Sequence, residues 1–515
     1  MDEKTYFKNL YYDKKGHLMK AIEKLNRVNK NVWFVFIFAF SAFLYLYNIT
    51  FSNLWIDEAF TQALVKHSFG AITGLIQNDF HPPLYFYALK IFVSIFGISV
   101  FTIRFFSTLG VLATILLGYV AGQRVFGKSG ALYFCLLIVS LPMLASYSHE
   151  ARMYTWGAFA VTGVFLYSVL FLASNMRKDL ILLMLFTLIA AYTHYYALMA
   201  AFWANVFVSV YLFVKKNNNF RTHLLYSLIA VLLYIPWIAV MLGQTKKVMH
   251  SFWVPALSWQ TISSCLLSPF APKIWLTPFL PLAIVIYGLL LLAVYRIYVA
   301  RKDGHSTELG LSLFIFALTF LSAVLISVFM RPILYMRYIS NIIVLILIPP
   351  TLFFIFTKNR WVKGIILAAV FVSGIAVSVQ GSFFSFGPYQ HSLVYLHEKH
   401  PGVKKVFHVL ETTAGPFAEY ACYGIKNYWY DPESTVVYTN MDVFDNMKST
   451  DSLGKVLKKD EQYCLANFPY MPFNENNVKR ILSESKLLEV DTVYDTKAQT
   501  GGFILLYMLR YRGTD

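Results

Sequence analysis

Charge is what this sequence has least of. Asp, Glu, Lys and Arg make up 14% of its 515 residues, where ordinary soluble domains carry about 25%. Hydrophobic residues reach 57% and mean hydropathy is +0.55, which excludes a solvated globular protein. A removable leader is not expected either. No apolar stretch with a small-residue cleavage site lies near Met1, so the first apolar run is expected to stay as an anchor. Cysteine is rare: there are four, none at metal-ligand spacing. Cys422 and Cys464 share the polar C-terminal region, where they either pair in an oxidising compartment or stay as buried thiols. The net charge of +17 comes without a nucleic-acid recognition module. Its basic residues instead sit in short loops between apolar runs, so no nucleic-acid partner is expected.

What is present is a series of runs near the ~20 residues that span a bilayer. They cover 32–50, 101–125, 129–147, 151–173, 179–194, 195–214, 222–242, 276–296, 308–330, 333–357 and 361–381. The run 82–97 differs, because it opens on Pro82 and Pro83, ends at Gly97 and is short for a span. Basic loops decide how it is counted. If it lies in the interface, Arg124 and Lys128, Arg177 and Lys178, Lys215, Lys216 and Arg221, Arg296, Arg301 and Lys302, and Lys358, Arg360 and Lys363 share the cytoplasmic side with the basic N-terminus. Counted as a span, it would move all five groups outside, against the positive-inside bias. The expectation is an α-helical polytopic membrane protein with about eleven spans and a short interfacial helix in the first outer loop. Residues 1–31 form a cytoplasmic basic segment, 32–381 the transmembrane domain with its outer loop at 50–100, and 382–515 an extracytoplasmic α/β domain. In that domain 404–410, 434–440, 461–468 and 501–509 read as strands, and 415–425 and 474–485 as helices.

This topology gathers the few acidic residues. Between residues 31 and 302 there are five: Asp57, Glu58, Asp79, Glu150 and Asp179. Asp179 belongs to a cytoplasmic loop, and the other four fall outside, in two places. In "WIDEA", a carboxylate just beyond a span suits a general base or a divalent-cation ligand, or else caps the following helix. "NDFHPPLYF" adds His81 to Asp79, and "YSHEARMYTW" adds His149, Glu150 and Arg152, with Tyr154 one helical turn after Glu150. "AYTHYYA" places His194 and Tyr195 at an outward turn. His81 and His194 with Asp57 and Glu150 are the candidates for a metal, although no metal motif spaces them. In "FMRPILYMRYISN", Arg331 and Arg337 open an apolar span on the outer side, where a guanidinium either forks onto phosphate or snorkels. At helical spacing Arg331, Tyr335 and Tyr338 share one face, and Arg337 shares an adjacent one with Asn341. A base beside phosphate-binding arginines suits transfer from a phosphate-linked lipid donor.

The motifs "LWIDEA", "HPPLYFYALKIFVSIFG", "TIRFFSTLG", "YSHEARMY", "THYYA" and "MRYISN" resemble, in order, the GT-C membrane glycosyltransferases. The nearest branch is the bacterial one related to protein O-mannosyltransferases and the aminoarabinose transferase of lipid A. The resemblance is strong over about 50–200 and weaker at 331–345. It implies a GT-C fold in the bacterial cytoplasmic membrane and a polyprenyl-phosphate sugar as donor. It also implies transfer on the outer leaflet to an acceptor glycan, lipid or protein. The family's first-loop carboxylate maps to Asp57, its interfacial helix to 82–97, its second acidic position to Glu150 and its late arginine–tyrosine to Arg337 and Tyr338. The expected chemistry is an inverting single displacement, with Asp57 as base and Glu58 and Glu150 as further catalytic carboxylates. Arg337, Arg331, Arg152 and Tyr338 would hold the donor phosphate, and His81, His149, Tyr154, His194 and Tyr195 would position substrate. No cofactor is required, and a divalent cation remains an option. The competing class is a flippase or transporter that moves a lipid-linked sugar without bond chemistry. Transporters favour internal repeats and midplane sites, and neither is visible here.

Overall fold

The structure, a computed structural model, describes residues 29–250, 253–270, 280–299, 305–383, 388–420, 423–430, 441–450, 455–459, 461–467, 488–495 and 504–511. Seventeen helices precede residue 383 among these. They are α1 (Lys30–Leu46), α2 (Ile56–Leu64), α3 (Phe69–Ile76), α4 (Leu84–Phe96), α5 (Val100–Val120), α6 (Gly122–Val139), α7 (Pro142–Ser148), α8 (Tyr154–Ser174), α9 (Arg177–Thr193), α10 (Tyr195–Val214), α11 (Asn219–His250), α12 (Trp259–Leu267), α13 (Leu280–Val294), α14 (Ser306–Phe329), α15 (Met336–Ile339), α16 (Ile348–Phe356) and α17 (Arg360–Ser382).

Seven of these are long and apolar enough to cross a membrane: α5, α8, α10, α11, α13 with its extension to Tyr298, α14 and α17. An eighth span arises if α6 and α7, bent by 64°, count as one. Pro142 opens α7 and Leu141 before it is extended, as the residue preceding a proline prefers. The expected spans at 32–50 and 179–194 fall on α1 and α9, each of 17 residues. Apolar side chains such as Leu228, Val231, Leu232 and Ile235 stand exposed on α11, which suits a helix face in lipid. The chain is a membrane protein.

The run 82–97 forms α4, whose 13 residues reach only ~20 Å at 1.5 Å per residue, short of a ~30 Å hydrocarbon core. The run 333–357 departs from the expected continuous helix. Pro332 disfavours helical backbone at Arg331, and the N–H groups of Ile333 and Leu334 both donate to Ser327 Oγ at 2.9 Å. Tyr335 is extended, α15 lasts one turn, residues 343–347 form a 3-10 turn, and Pro349 and Pro350 open α16. The helical face proposed for Arg331, Tyr335 and Tyr338 therefore does not form.

After α17 the chain builds a mixed sheet from β1 (Lys405–His408), β2 (Lys426–Tyr430), β3 (Met447–Thr450), β4 (Gln462–Asn467), β5 (Leu488–Asp495) and β6 (Leu505–Tyr511), in the order β3-β2-β1-β4-β6-β5. The first four strands are mutually parallel, and β6 runs antiparallel to both β4 and β5. Helices α18 (Tyr389–Lys399) and α19 (Glu411–Glu419) cover one face, burying Leu393, Leu396 and Phe417 with Val406, Cys464 and Leu506. Cys464 is a buried free thiol, and Cys422 lies outside the described residues. So do the expected strand at 434–440, the helix at 474–485 and residues 1–28.

The two parts are packed together. Ala414 and Ala418 of α19, with Trp429, Val443 and Phe444, join the same buried cluster as Ile56 and Phe60 of α2. Glu419 accepts from Gln62 Nε2 at 2.8 Å and pairs with Lys66 at 2.7 Å, and Tyr420 Oη accepts the Leu54 N–H at 2.8 Å.

Candidate active site

Asp57 lies in the first turn of α2, where the helix N-terminus favours negative charge. Its Oδ2 is 2.7 Å from Arg337 Nη1. Arg337 comes from α15, and the broken course of 331–347 is what delivers it. Gly157 on α8 makes room, because a Cβ there would overlap the Asn341 side chain. Three rings surround the Arg337 guanidinium: Trp55 at 4.5 Å, Trp253 at 5.4 Å and Tyr335 at 5.5 Å. Cation–π attraction holds it there while its remaining N–H groups stay directed by the planar fork.

Arg152 is the second cation. Its Nη1 donates to Thr61 Oγ1 at 3.3 Å and approaches the Asp57 carbonyl at 3.5 Å. Its Nη2 lies 3.4 Å from His81 Nε2, and His81 Nδ1 is 3.0 Å from Asp79 Oδ2. Burial alone would raise Asp79, but His81, Arg152 and the Phe80 N–H together hold it below the usual carboxylate range. The loop bearing Arg152 is fixed by α5, since Ser107 Oγ donates to the Arg152 carbonyl at 3.1 Å and Thr108 Oγ1 to that of Ser148 at 3.1 Å.

Glu150 sits in the bend between α7 and α8, before the helix begins, so it does not share a helical face with Tyr154. It is 8% exposed and its Oε1 has no hydrogen-bond partner. Burial pushes it up to about 8, and Arg337 offsets this only in part because Glu58 and Asp57 push the same way. His194 closes the cluster from between α9 and α10, its ring 5.7 Å from His81, 5.8 Å from Tyr154 and 5.2 Å from Tyr338.

Several expected residues take other places. Glu58 was expected among the reacting carboxylates, yet it is fully buried and its oxygens are already engaged. Arg104 Nε and Nη2 each donate to it at 2.7 Å, and the Ala151 N–H donates at 2.9 Å. His149 Nε2 meets the Tyr45 carbonyl at 2.8 Å, and Tyr195 engages Gln244 and Trp237. Among the described residues no hydrogen bond or ion pair joins Arg331 to the cluster, and its Nε is buried without a partner. The metal option at Asp57, Glu150, His81 and His194 gains no support from the geometry. Among the described residues no group of three or more His, Cys, Asp or Glu converges on one point, while Arg337 pairs with Asp57 and Arg152 contacts His81. Arg104 and the rings around Arg337 went unassigned in the sequence, although an arginine inside an apolar run is a signal in itself.

The geometry now has company among known proteins. Residues 80–240 match the sequence model of the dolichyl-phosphate-mannose-protein mannosyltransferase family. No curated protein matches the chain by sequence. The crystal structure of ArnT from Cupriavidus metallidurans in the apo state superposes with a TM-score of 0.61 and 13% identity, covering 93% of this chain and 98% of that one. The structure of the same protein bound to undecaprenyl phosphate gives 0.62 and 12%, covering 92% and 98%. The resemblance read from the motifs thus holds: the chain has the GT-C glycosyltransferase fold along nearly its whole length and is similar to the mannosyltransferase family over residues 80–240.

Proposed function

We propose that this protein is a membrane glycosyltransferase that moves a sugar from a polyprenyl-phosphate donor to an acceptor hydroxyl on the outer face of the membrane. The observation that carries the reading is the contact between Asp57 and Arg337 at 2.7 Å, with Arg152 beside them. A carboxylate and two guanidinium groups held together at the end of an apolar bundle are the groups that such a transfer needs. The ArnT structure with undecaprenyl phosphate supports a lipid of this class as the partner.

The donor phosphate engages Arg337 and Arg152, whose forks match its oxygens. Arg337 then releases Asp57 Oδ2, which accepts the proton of the acceptor hydroxyl as that oxygen attacks the anomeric carbon. The bond from the anomeric carbon to the phosphate oxygen breaks, and its electron pair leaves with the polyprenyl phosphate. The arginines balance the added negative charge as it develops, and the anomeric configuration inverts. Glu58 holds the base-bearing helix through Arg104 and takes no proton in this scheme.

The test uses the full chain in proteoliposomes with radiolabelled undecaprenyl-phosphate mannose and a cell-envelope extract as acceptor. Label should appear on the acceptor, or slowly in water as released sugar. Asp57→Asn should lower that rate by about 10²–10⁴-fold with an unchanged melting curve. Label that crosses the bilayer on intact donor would make the protein a flippase, and near-wild-type transfer by the variant would remove Asp57 from its role.

A further inference from the structure

A second constellation lies at the other end of the bundle. Helices α8 and α10 start beside the candidate site, at Tyr154 and Tyr195, and end at Ser174 and Val214, about 30 Å away at 1.5 Å per residue. The turns that follow these two helices are bonded to each other. Asn175 Oδ1 accepts from Asn217 Nδ2 at 3.0 Å and from Asn219 Nδ2 at 2.9 Å. Arg177, Lys178, Lys215, Lys216 and Arg221 flank the members of this clasp in sequence, and all are exposed. The clasp therefore gathers five cations on one surface.

Among the described residues no carboxylate offsets them. Asp179 is fully buried and held by Arg124 at 2.7 Å and by Ser174 Oγ at 2.8 Å. Glu308 begins α14, which packs along α10, and is paired with His305 at 2.9 Å. Arg177 donates to Tyr226 Oη, and Lys215 lies 6.0 Å from the Tyr211 ring. These contacts orient the two side chains and neutralise neither. The fold itself has no use for the charge. Arg177, Lys178 and Arg221 stand in the first turns of α9 and α11, where a cation opposes the helix dipole. Lys216 adopts a φ of 52°, a conformation that glycine takes at much lower cost. A bias towards positive loops on one side accounts for each loop singly but not for their clasp.

We infer that this surface binds the phosphate of an anionic phospholipid in the leaflet at that end of the bundle. Met176, Phe213 and Val214 stand exposed directly beside the cations, and at the end of a span such side chains meet acyl chains. The cations then lie at headgroup depth along a hydrocarbon surface, which suits a lipid better than a free phosphate. The phosphodiester accepts from guanidinium and ammonium N–H groups, while its acyl chains run along Phe213 and Val214. A choline lipid brings its own cation and gains little here. Groups of about 4–8 basic residues beside a span attract anionic lipid in this way.

The test mixes the full chain in detergent with equal amounts of phosphatidylglycerol and phosphatidylcholine and counts bound lipid by native mass spectrometry. Phosphatidylglycerol should be retained about tenfold over phosphatidylcholine, and the preference should shrink as salt is added. Combining Lys178→Gln, Lys215→Gln and Lys216→Gly should bring it below about twofold. Lys216→Gly alone removes one charge and relieves the backbone. It should lower the preference about threefold and melt no earlier than the wild type. Combining Lys358→Gln, Arg360→Gln and Lys363→Gln removes as much charge ahead of α17, at the same end of the bundle, and should leave the preference intact. An equal loss there would assign the effect to net charge and overturn the proposal. A preference unchanged in the variants of the clasped loops would do the same. Displacement of the bound lipid by inorganic phosphate would assign the surface to a soluble anion and overturn the lipid as its partner.

Discussion

Asp57 and Glu58 are adjacent in sequence, yet about 100° of helical turn separates their directions. Asp57 meets Arg337 with 26% of its side chain exposed, and Glu58 meets Arg104 with 0% exposed. The sequence offered both as catalytic, because chain proximity carries no information on which side faces the packed bundle. Glu150 is the carboxyl whose state changes near neutral pH, and the sign follows from its raised value. In the unfolded chain a glutamate loses its proton near ~4.3, whereas in the fold it keeps it until about 8. Between those values the native state binds the extra proton, so stability falls as pH rises through this window. Melting of the purified protein should therefore decline from pH 5 to pH 8, and Glu150→Gln should flatten that decline. A wild-type slope in the variant would place the titration elsewhere.

At the scale of elements, the residue that ties the site together is Arg104 on α5. Besides its bidentate pairing with Glu58 on α2, Nη1 donates to the carbonyls of Ile49 and Ser52 at 2.8 and 2.9 Å, and Nη2 to Asn53 at 3.1 Å. Through Glu58 it also reaches the Ala151 N–H, next to Glu150 and Arg152. One side chain thereby registers the approach to α2, which carries the proposed base, and the loop that carries Arg152, the proposed phosphate ligand. Arg104→Met leaves Glu58 buried and uncompensated, so it should cost about 3–5 kcal/mol in stability. Adding Glu58→Gln to it should restore most of that, read by denaturation in detergent. If the double variant is no more stable than the single, the pair is not what holds these loops. The apolar runs made the spans legible, and the bend at Pro142 has a plain sequence cause. The break at 331–347 was less visible. Hydropathy there is that of a span, and only the prolines at 332, 349 and 350 hint that the chain leaves helix. The break shapes the candidate site, since a continuous helix would not bring Arg337 to Asp57 by this route.

At the scale of the whole molecule, α2 is held from both sides, by Arg104 within the bundle and by α19 of the C-terminal sheet domain. The sequence marked that domain by its change in composition but gave no hint of where it docks, because docking depends on complementary shapes far apart in the chain. The contact is tightest at Gly415. A Cβ there would overlap the end of Ile56, the residue before Asp57, and would lie 2.9 Å from the Phe444 ring. Ala414 and Ala418 keep the rest of that helix face low. The small face lets α19 rest directly against the helix that carries the proposed base. Gly415→Val should therefore push α2 and displace Asp57. A shift of the order of ~1 Å in a reacting group lowers turnover about a hundredfold. KM for the donor should change less than kcat, because Arg337 stands on an element that α19 does not touch in the contacts described above, while Arg152 bonds to α2 through Thr61 and the Asp57 carbonyl. Ile56→Ala, which vacates the space the new side chain needs, should recover much of the lost kcat when combined with Gly415→Val, the coupling expected of two residues in contact. Full activity in Gly415→Val alone would mean that the C-terminal domain can shift without moving the base, and its tight seat on α2 would then have no part in catalysis.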